Sequence, residues 1–307
     1  KILAEYNIDN SLGWIDFFKK EIRENVEIIY GNIRDPFIIS NNTKNYDALI
    51  HLAALISIPY SYRSPSEFIE TNIQGTLNAL EAAKKNDLNR FIGTSTSEVY
   101  GTAQFTPINE NHPINAQSPY AATKVAADQL CISYFKTYNM PITILRPFNT
   151  FGPRQSLRAV LPNIFLSSTK KEKKIILKLG STETKRDFCY ITDTVDGFLA
   201  CLNSNKKING ETINLGSGKS YSIFQMIKIV EKISNKKFLI RKDPLRIRPK
   251  KSEVQLLQAD ILKARKLIGW KPKVNDIKSL ESSIQETLNW FKQKDNINFY
   301  NLKKYNI

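Results

Sequence analysis

The sequence predicts a doubly wound parallel α/β sheet with a smaller C-terminal lobe. Short buried apolar runs alternate with amphipathic helical stretches through the first half. That is the pattern of strand–crossover–strand units, whose right-handed connections wind a parallel sheet. After Pro153 the elements shorten and Lys and Pro become commoner, marking a second region built on the strand ends. A chain of 307 residues, 41% hydrophobic and 24% charged, is long enough and apolar enough for about two domains' worth of core.

Each element follows from its local pattern. Residues 1–4 read as the end of a strand, 14–23 as a helix and 26–30 as a strand. Residues 48–52 form a buried strand followed by a helix over 65–85, then a strand at 90–94. A long helix over 120–138 precedes a strand at 141–145. The dinucleotide-type domain is expected over 1–150 plus about 186–214, and the second lobe over about 151–185 and 215–307. A dinucleotide fold opens with a strand, a glycine-rich turn and a helix N-terminus that holds pyrophosphate. No GxGxxG or GxxGxxG occurs near the start, and residue 1 is Lys rather than Met. The expectation is that the chain begins in the second strand, with roughly 30 residues, one β-α unit, absent upstream.

Composition narrows the function classes. No run approaches the ~18 apolar residues of a membrane span, and the first ten residues lack a signal-peptide core. Three widely spaced cysteines (Cys131, Cys189, Cys201) without a CxxC pair fit reduced thiols in a cytoplasm. With two histidines in all, no metal site is expected. The net charge of +16 is spread over scattered lysines and short runs such as 170–174 without interleaved aromatics. Neither a nucleic-acid nor a membrane partner is therefore expected.

The chemistry concentrates in two places. Tyr120 and Lys124 stand four apart on one helix face. A phenol with a pKa near ~10 serves as a base only if a neighbouring cation stabilises its phenolate. Such pairs also arise by chance in many helices. About 25 residues earlier, Thr94-Ser95-Thr96-Ser97-Glu98 follows a buried strand directly, at the carboxyl edge where open α/β sheets place ligands. Turn-forming or capping hydroxyls are the plainer reading of such a run, but they leave the carboxylate beside a core strand unexplained.

With these motifs the chain resembles the extended short-chain dehydrogenase/reductases, in their NAD-dependent nucleotide-sugar epimerase/dehydratase branch. The ordered matches include Gly31-Asn-Ile-Arg-Asp35, His51-Leu-Ala-Ala54, Thr71 to Thr76, Thr94 to Gly101 and Ser118-Pro-Tyr-Ala-Ala-Thr-Lys124. They continue through Leu145-Arg-Pro-Phe-Asn149, Gly152-Pro-Arg154, Arg186-Asp-Phe188, Asn214-Leu-Gly216 and Arg248-Pro249. Within the branch, Ser95 to Ala103 and Arg146 to Gln155 look most like bacterial 4,6-dehydratases of N-acetylglucosamine nucleotides. The resemblance implies a Rossmann fold, NAD as cofactor and a nucleotide-diphosphate sugar as substrate. It also implies a cytoplasmic enzyme of polysaccharide biosynthesis and a homodimer.

By that resemblance, Tyr120 is the base, Lys124 its electrostatic partner and Thr96 the hydroxyl that bonds the sugar O4. Glu98 removes the C5 proton. Glucose dehydratases of the dTDP type carry Thr-Asp-Glu; here Ser97 replaces the acid, so Glu98 serves both steps with Ser97 assisting. Glu5, Asn32, Ile33, Ala53, Ala54, Leu55 and Asn72 fall where the family holds the dinucleotide, with Tyr120 and Lys124 at the nicotinamide end. Asn149, Arg186 and Arg248 fall on its substrate contacts, and two arginine forks suit a diphosphate. Arg154 and Arg158 are further candidates, and His51 reads as a core histidine. The rivals are a 4-epimerase, which needs no base at C5, and a UDP-glucuronate decarboxylase, whose carboxylate-facing arginine falls on Leu262. A catalytically silent binding protein of the same fold is the non-enzymatic alternative.

Overall fold

The computed structural model describes residues 1–7, 11–298 and 300; the expected end of the second lobe, 301–307, lies outside the described residues. The first half runs β1 (Ile2–Ala4), a 3-10 turn (Gly13–Phe17), α1 (Lys20–Glu24), β2 (Ile28–Tyr30), α2 (Pro36–Asn42), β3 (Ala48–His51), α3 (Ile58–Ser61) and α4 (Pro65–Phe68). A π turn (Ile69–Gln74) leads into α5 (Gly75–Lys85), then β4 (Arg90–Thr94), α6 (Pro119–Tyr138), β5 (Ile142–Pro147) and β6 (Asn149–Phe151). The second half holds α7 (Val160–Ser168), β7 (Lys174–Leu179), β8 (Lys185–Tyr190), α8 (Ile191–Leu202), β9 (Thr212–Leu215) and β10 (Ser220–Ser222). It ends with α9 (Ile223–Ser234), β11 (Lys237–Lys242), α10 (Leu262–Ile268), α11 (Ile277–Lys292) and α12 (Lys294–Asn298).

The central sheet is wholly parallel, in the order β3-β4-β5-β9. The alternation of apolar strands with helices produces this arrangement: each crossover helix covers a sheet face, so the middle strands are buried on both sides. In β5, Ile142 through Leu145 are all buried, and so is Arg146, the strand's one cation. β1 and β2 form a parallel pair of their own rather than continuing this sheet. Beyond β5 the chain builds two small sheets, β10-β8-β6 and β11-β7. A core including Phe151, Phe165, Phe188 and Phe291 fills the space around them.

Two expected elements are more broken than their periodicity implies. The helix expected over 14–23 splits into the 3-10 turn and α1, with Phe18 and Lys19 extended between them. Asp16 turns back to accept from Leu12 N–H at 2.9 Å, and Trp14 packs edge-on against Trp290 of α11 with centroids 5.2 Å apart. Tertiary docking of the aromatic therefore overrides helical continuation. The helix expected over 65–85 carries the π turn, a widened turn of the kind found at functional positions. Asn72, within it, accepts from Leu55 N–H at 2.8 Å and donates to Leu55 O and Thr123 Oγ1, both at 3.0 Å. The loop after β3 is thereby tied to α6.

His51 closes β3, buried against Thr76. The Thr76 hydroxyl donates to Asn72 O at 2.6 Å, so the His51 Nε2 at 3.0 Å must be the donor in that pair. Burial, reinforced by the Lys124 charge, pushes the imidazole down to about 3 from 6.5. The unfolded chain then holds one more proton between those values, so stability present above pH 6.5 is lost as pH falls. In chemical denaturation at about pH 4.5, the wild type should have lost about 2–3 kcal/mol more than His51→Gln, relative to neutral pH.

Candidate active site

The site grows from the carboxyl end of β4. Thr96 adopts an extended backbone (φ −157°, ψ 153°) and caps a single 3-10 turn, Ser97–Tyr100, its hydroxyl accepting from Glu98 N–H at 3.3 Å. Gly101 reverses the chain at φ +64°; a Cβ there would lie 2.2 Å from the Asn115 carbonyl oxygen, so only glycine fits. The turn thus aims Glu98 back over the strand end. Ser118 caps α6, accepting from Ala121 N–H at 3.1 Å, and Pro119 occupies the first turn. Tyr120 follows at once and Lys124 lies one turn on.

These elements bring Thr96, Glu98, Tyr120 and Lys124 together. The Thr96 hydroxyl adjoins the Tyr120 phenol. Tyr120 is buried edge-on against Phe68, with centroids 6.3 Å apart. Burial pushes its phenol well above the ordinary range; the nearby Thr96 hydroxyl opposes that, while the Glu98 and Asp128 charges add to it. Lys124, 3% exposed, donates from Nζ to the Thr94 carbonyl at 2.6 Å. Burial pulls its ammonium below the usual lysine range, and Asp128 resists. Ser97 is buried beside Glu98.

Two arginines and two carboxylates adjoin this group. Arg186 of β8 has its Nε 3.8 Å from Glu98 Oε1 and its Nη2 3.5 Å from Glu253 Oε1. Arg248 reaches the same Glu253 oxygen at 3.5 Å, an ion-pair distance without hydrogen-bond geometry for Nη1. Burial works against the Arg186 charge, with Glu98 supporting it, Arg248 opposing it and Glu253 supporting it again. Asn149 of β6 pairs with Phe188, two residues along β8 from Arg186, and its side-chain oxygen is buried with no partner. Asp187 anchors this corner, accepting from Ser217 N–H, Ser217 Oγ, Gly218 N–H and Ala259 N–H at 2.6–3.0 Å. Arg154 and Arg158 lie exposed on the loop before α7.

The expected cofactor residues fall into two groups. Glu5 follows β1 and Asn32 follows β2; the half-buried Asn32 donates from Nδ2 to Oε1 of the exposed Glu5 at 3.2 Å. Ile33 is packed beneath Gly75 and its carbonyl takes a bond from Asn78 at 3.0 Å. Ala53, Ala54 and Leu55 form the loop after β3, with Ala53 exposed, while the Asn72 amide is spent on Leu55 and Thr123. An exposed acid at the end of β1 and the partnerless, buried Thr94 hydroxyl near Lys124 fit the adenosine and nicotinamide ends of a dinucleotide. Among the described residues no cluster of His, Cys, Asp and Glu could hold a metal ion. No helix among them is long and apolar enough to cross a membrane.

Sequence reasoning passed over Glu253, whose signal was its place five residues after Arg248. It also passed over a buried chain behind Lys124. Asp128 Oδ2 accepts from Ser95 Oγ at 2.7 Å and from Arg146 Nε and Nη2 at 3.1 and 2.9 Å. Arg146 Nη1 donates to Tyr100 Oη at 2.9 Å, and that hydroxyl donates to Asn214 Oδ1 at 2.8 Å. The available signal was Asp128 at four residues from Lys124, on the same helix face.

Comparison with known proteins agrees with this fold. Residues 3–285 match the family model described as GDP-mannose 4,6 dehydratase. A UDP-glucuronate 4-epimerase of Thermodesulfobacterium geofontis is 36% identical over 82% of this chain and 74% of its own. The human dTDP-D-glucose 4,6-dehydratase is 30% identical over 92% of this chain and 78% of its own. Among solved structures, a Bacillus cereus UDP-glucuronic acid 4-epimerase variant, in complex with a substrate analogue and NAD, superposes with a TM-score of 0.80. It is 30% identical, covering 89% of this chain and 83% of that one. The match to the family model over most of the chain, joined to the Thr96–Glu98–Tyr120–Lys124 cluster at the edge of a parallel sheet, makes this protein a member of the NAD-dependent nucleotide-sugar epimerase/dehydratase family.

Proposed function

We propose that the protein is an NAD-dependent nucleotide-sugar 4,6-dehydratase acting on a UDP- or GDP-linked N-acetylglucosamine. Glu98 carries the reading: a carboxylate 8% exposed, beside Tyr120 and paired to Arg186 at 3.8 Å. A 4-epimerase has no use for a base at C5, whereas dehydration across C5 and C6 requires one.

Glu5, Asn32 and the loop of Ala53, Ala54 and Leu55 would hold the adenosine half of NAD, and Lys124 and Thr94 the nicotinamide ribose. When bound, NAD would supply the acceptor for the C4 hydride and the source of the hydride returned at C6. Tyr120, as phenolate, takes the 4-hydroxyl proton, with the Lys124 ammonium stabilising the negative charge. Thr96 donates to the developing O4. The resulting ketone acidifies C5–H, and Glu98 removes that proton and passes it, with Ser97 assisting, to the C6 hydroxyl, which leaves as water; once C6 regains hydride, a solvent proton delivered through Glu98 closes C5. Arg186 and Arg248 grip the diphosphate with forked donors, and the Asn149 amide oxygen, buried and without a partner, is free for a substrate donor.

A second reading, 4-epimerisation, is favoured by the 36% identity to a UDP-glucuronate 4-epimerase. Incubating the full-length protein with NAD and either UDP-GlcNAc or GDP-GlcNAc separates the two. A product lighter by one water, with NAD unchanged in amount, is expected. A 4-epimer of unchanged mass would instead make the protein an epimerase, and carbon dioxide release from UDP-glucuronate a decarboxylase. In Glu98→Gln the 4-ketone should still form, while solvent deuterium uptake at C5 falls by about 10²-fold or more. Arg186→Lys keeps the charge but loses the fork, and should raise KM about tenfold with a smaller change in kcat.

A further inference from the structure

Lys124 is an ammonium removed from water, and the acceptor on its Nζ is a neutral carbonyl, that of Thr94. A buried cation needs an anion close by, or it loses its proton. Tyr120 and Cys131 lie on the same helix as Lys124; burial raises the Tyr120 phenol and holds the Cys131 thiol up at about 12, so without a bound nicotinamide cation neither supplies a standing negative charge. From β3 comes His51, neutral and with its Nε2 proton given to Thr76. Glu98 acts on Tyr120 and faces Arg186 at 3.8 Å. The remaining charged group facing the ammonium is Asp128, one helical turn along the same face and 3% exposed.

Asp128 cannot swing away. Ser95 of the β4 edge and Arg146 of β5 both bond its Oδ2, and Arg146 is itself fixed by the Tyr100 hydroxyl and lies 4.9 Å from that ring's centroid. One carboxylate thus serves two buried cations, pairing with Arg146 at 2.9 Å and acting on Lys124 from one helical turn away, outside direct ion-pair contact. We propose that Asp128 is a positioning residue, the fixed counter-ion that keeps the Lys124 ammonium charged beside Tyr120. Its consequence for turnover rests on the reading of Tyr120 and Lys124 as the catalytic pair.

The test is direct titration of Lys124, followed by NMR in protein carrying isotope-labelled lysine and assigned by Lys124→Met. Asp128→Asn alone strands a guanidinium in the core, so the decisive variant is Asp128→Asn with Arg146→Met, which removes both charges of the buried pair. Its Lys124 midpoint should fall by at least about one pH unit. Asp128→Glu should keep the wild-type midpoint, and Arg146→Met alone should not lower it. The alkaline limb of the kcat profile should move with the Lys124 midpoint. An unmoved midpoint in the folded double variant, or a lowered one in Arg146→Met, overturns the counter-ion. A moved midpoint with an unmoved alkaline limb leaves the counter-ion standing and removes Lys124 from catalysis.

Discussion

The structure depends on one buried contact, the Lys124 ammonium against the Thr94 carbonyl at 2.6 Å. It fastens the first turns of α6 to the carboxyl edge of β4, and everything reactive hangs from those two places. Thr96 and Glu98 continue from the strand; Tyr120 precedes Lys124 by one turn. Burying an ammonium is costly unless its surroundings carry opposite charge or dipole. The sequence around it therefore cannot vary freely: Asp128 on the helix, Ser95 on the strand end and Arg146 on β5 belong to the same arrangement.

The substrate side is built on the same economy of charge. Arg186 stands between Glu98 and Glu253, and Arg248 shares Glu253 with it. On the proposed reading, a diphosphate at the two arginines would compete with both carboxylates and so couple binding to the freedom of Glu98 through one guanidinium. Asp187, next in sequence, points the opposite way and takes four donors from two other segments. Alternation along β8 thus gives one residue to chemistry and its neighbour to scaffolding.

Much of the fold was legible because its signals are local. The apolar runs at 48–52 and 90–94 and the capped helix opening at Ser118-Pro119 each specify their own conformation within a few residues. Where a distant partner intervened, the reading broke. Trp14 docks on Trp290 and splits a helix that its periodicity alone would continue. Asn72 bonds a loop 17 residues away, within a turn that is wider than α-helical. The separation of β1–β2 from the central sheet has no local signature either.

The sequence by itself determined the alternation of strands and helices, and with it the parallel sheet whose carboxyl edge gathers Thr96, Glu98, Tyr120 and Lys124. Spacing suffices for these, because a helix turn and a strand end fix where neighbours point. Only the tertiary structure decided which charges meet: Glu253 between two arginines, Asp128 between Lys124 and Arg146, Tyr100 bridging Arg146 to Asn214. Asp128 meets Arg146 across 18 residues, Glu253 meets Arg186 across 67, and Tyr100 meets Asn214 across 114. No local pattern encodes these distant pairs; they are set by how the sheet stacks its strands and by the need of each buried charge for a partner.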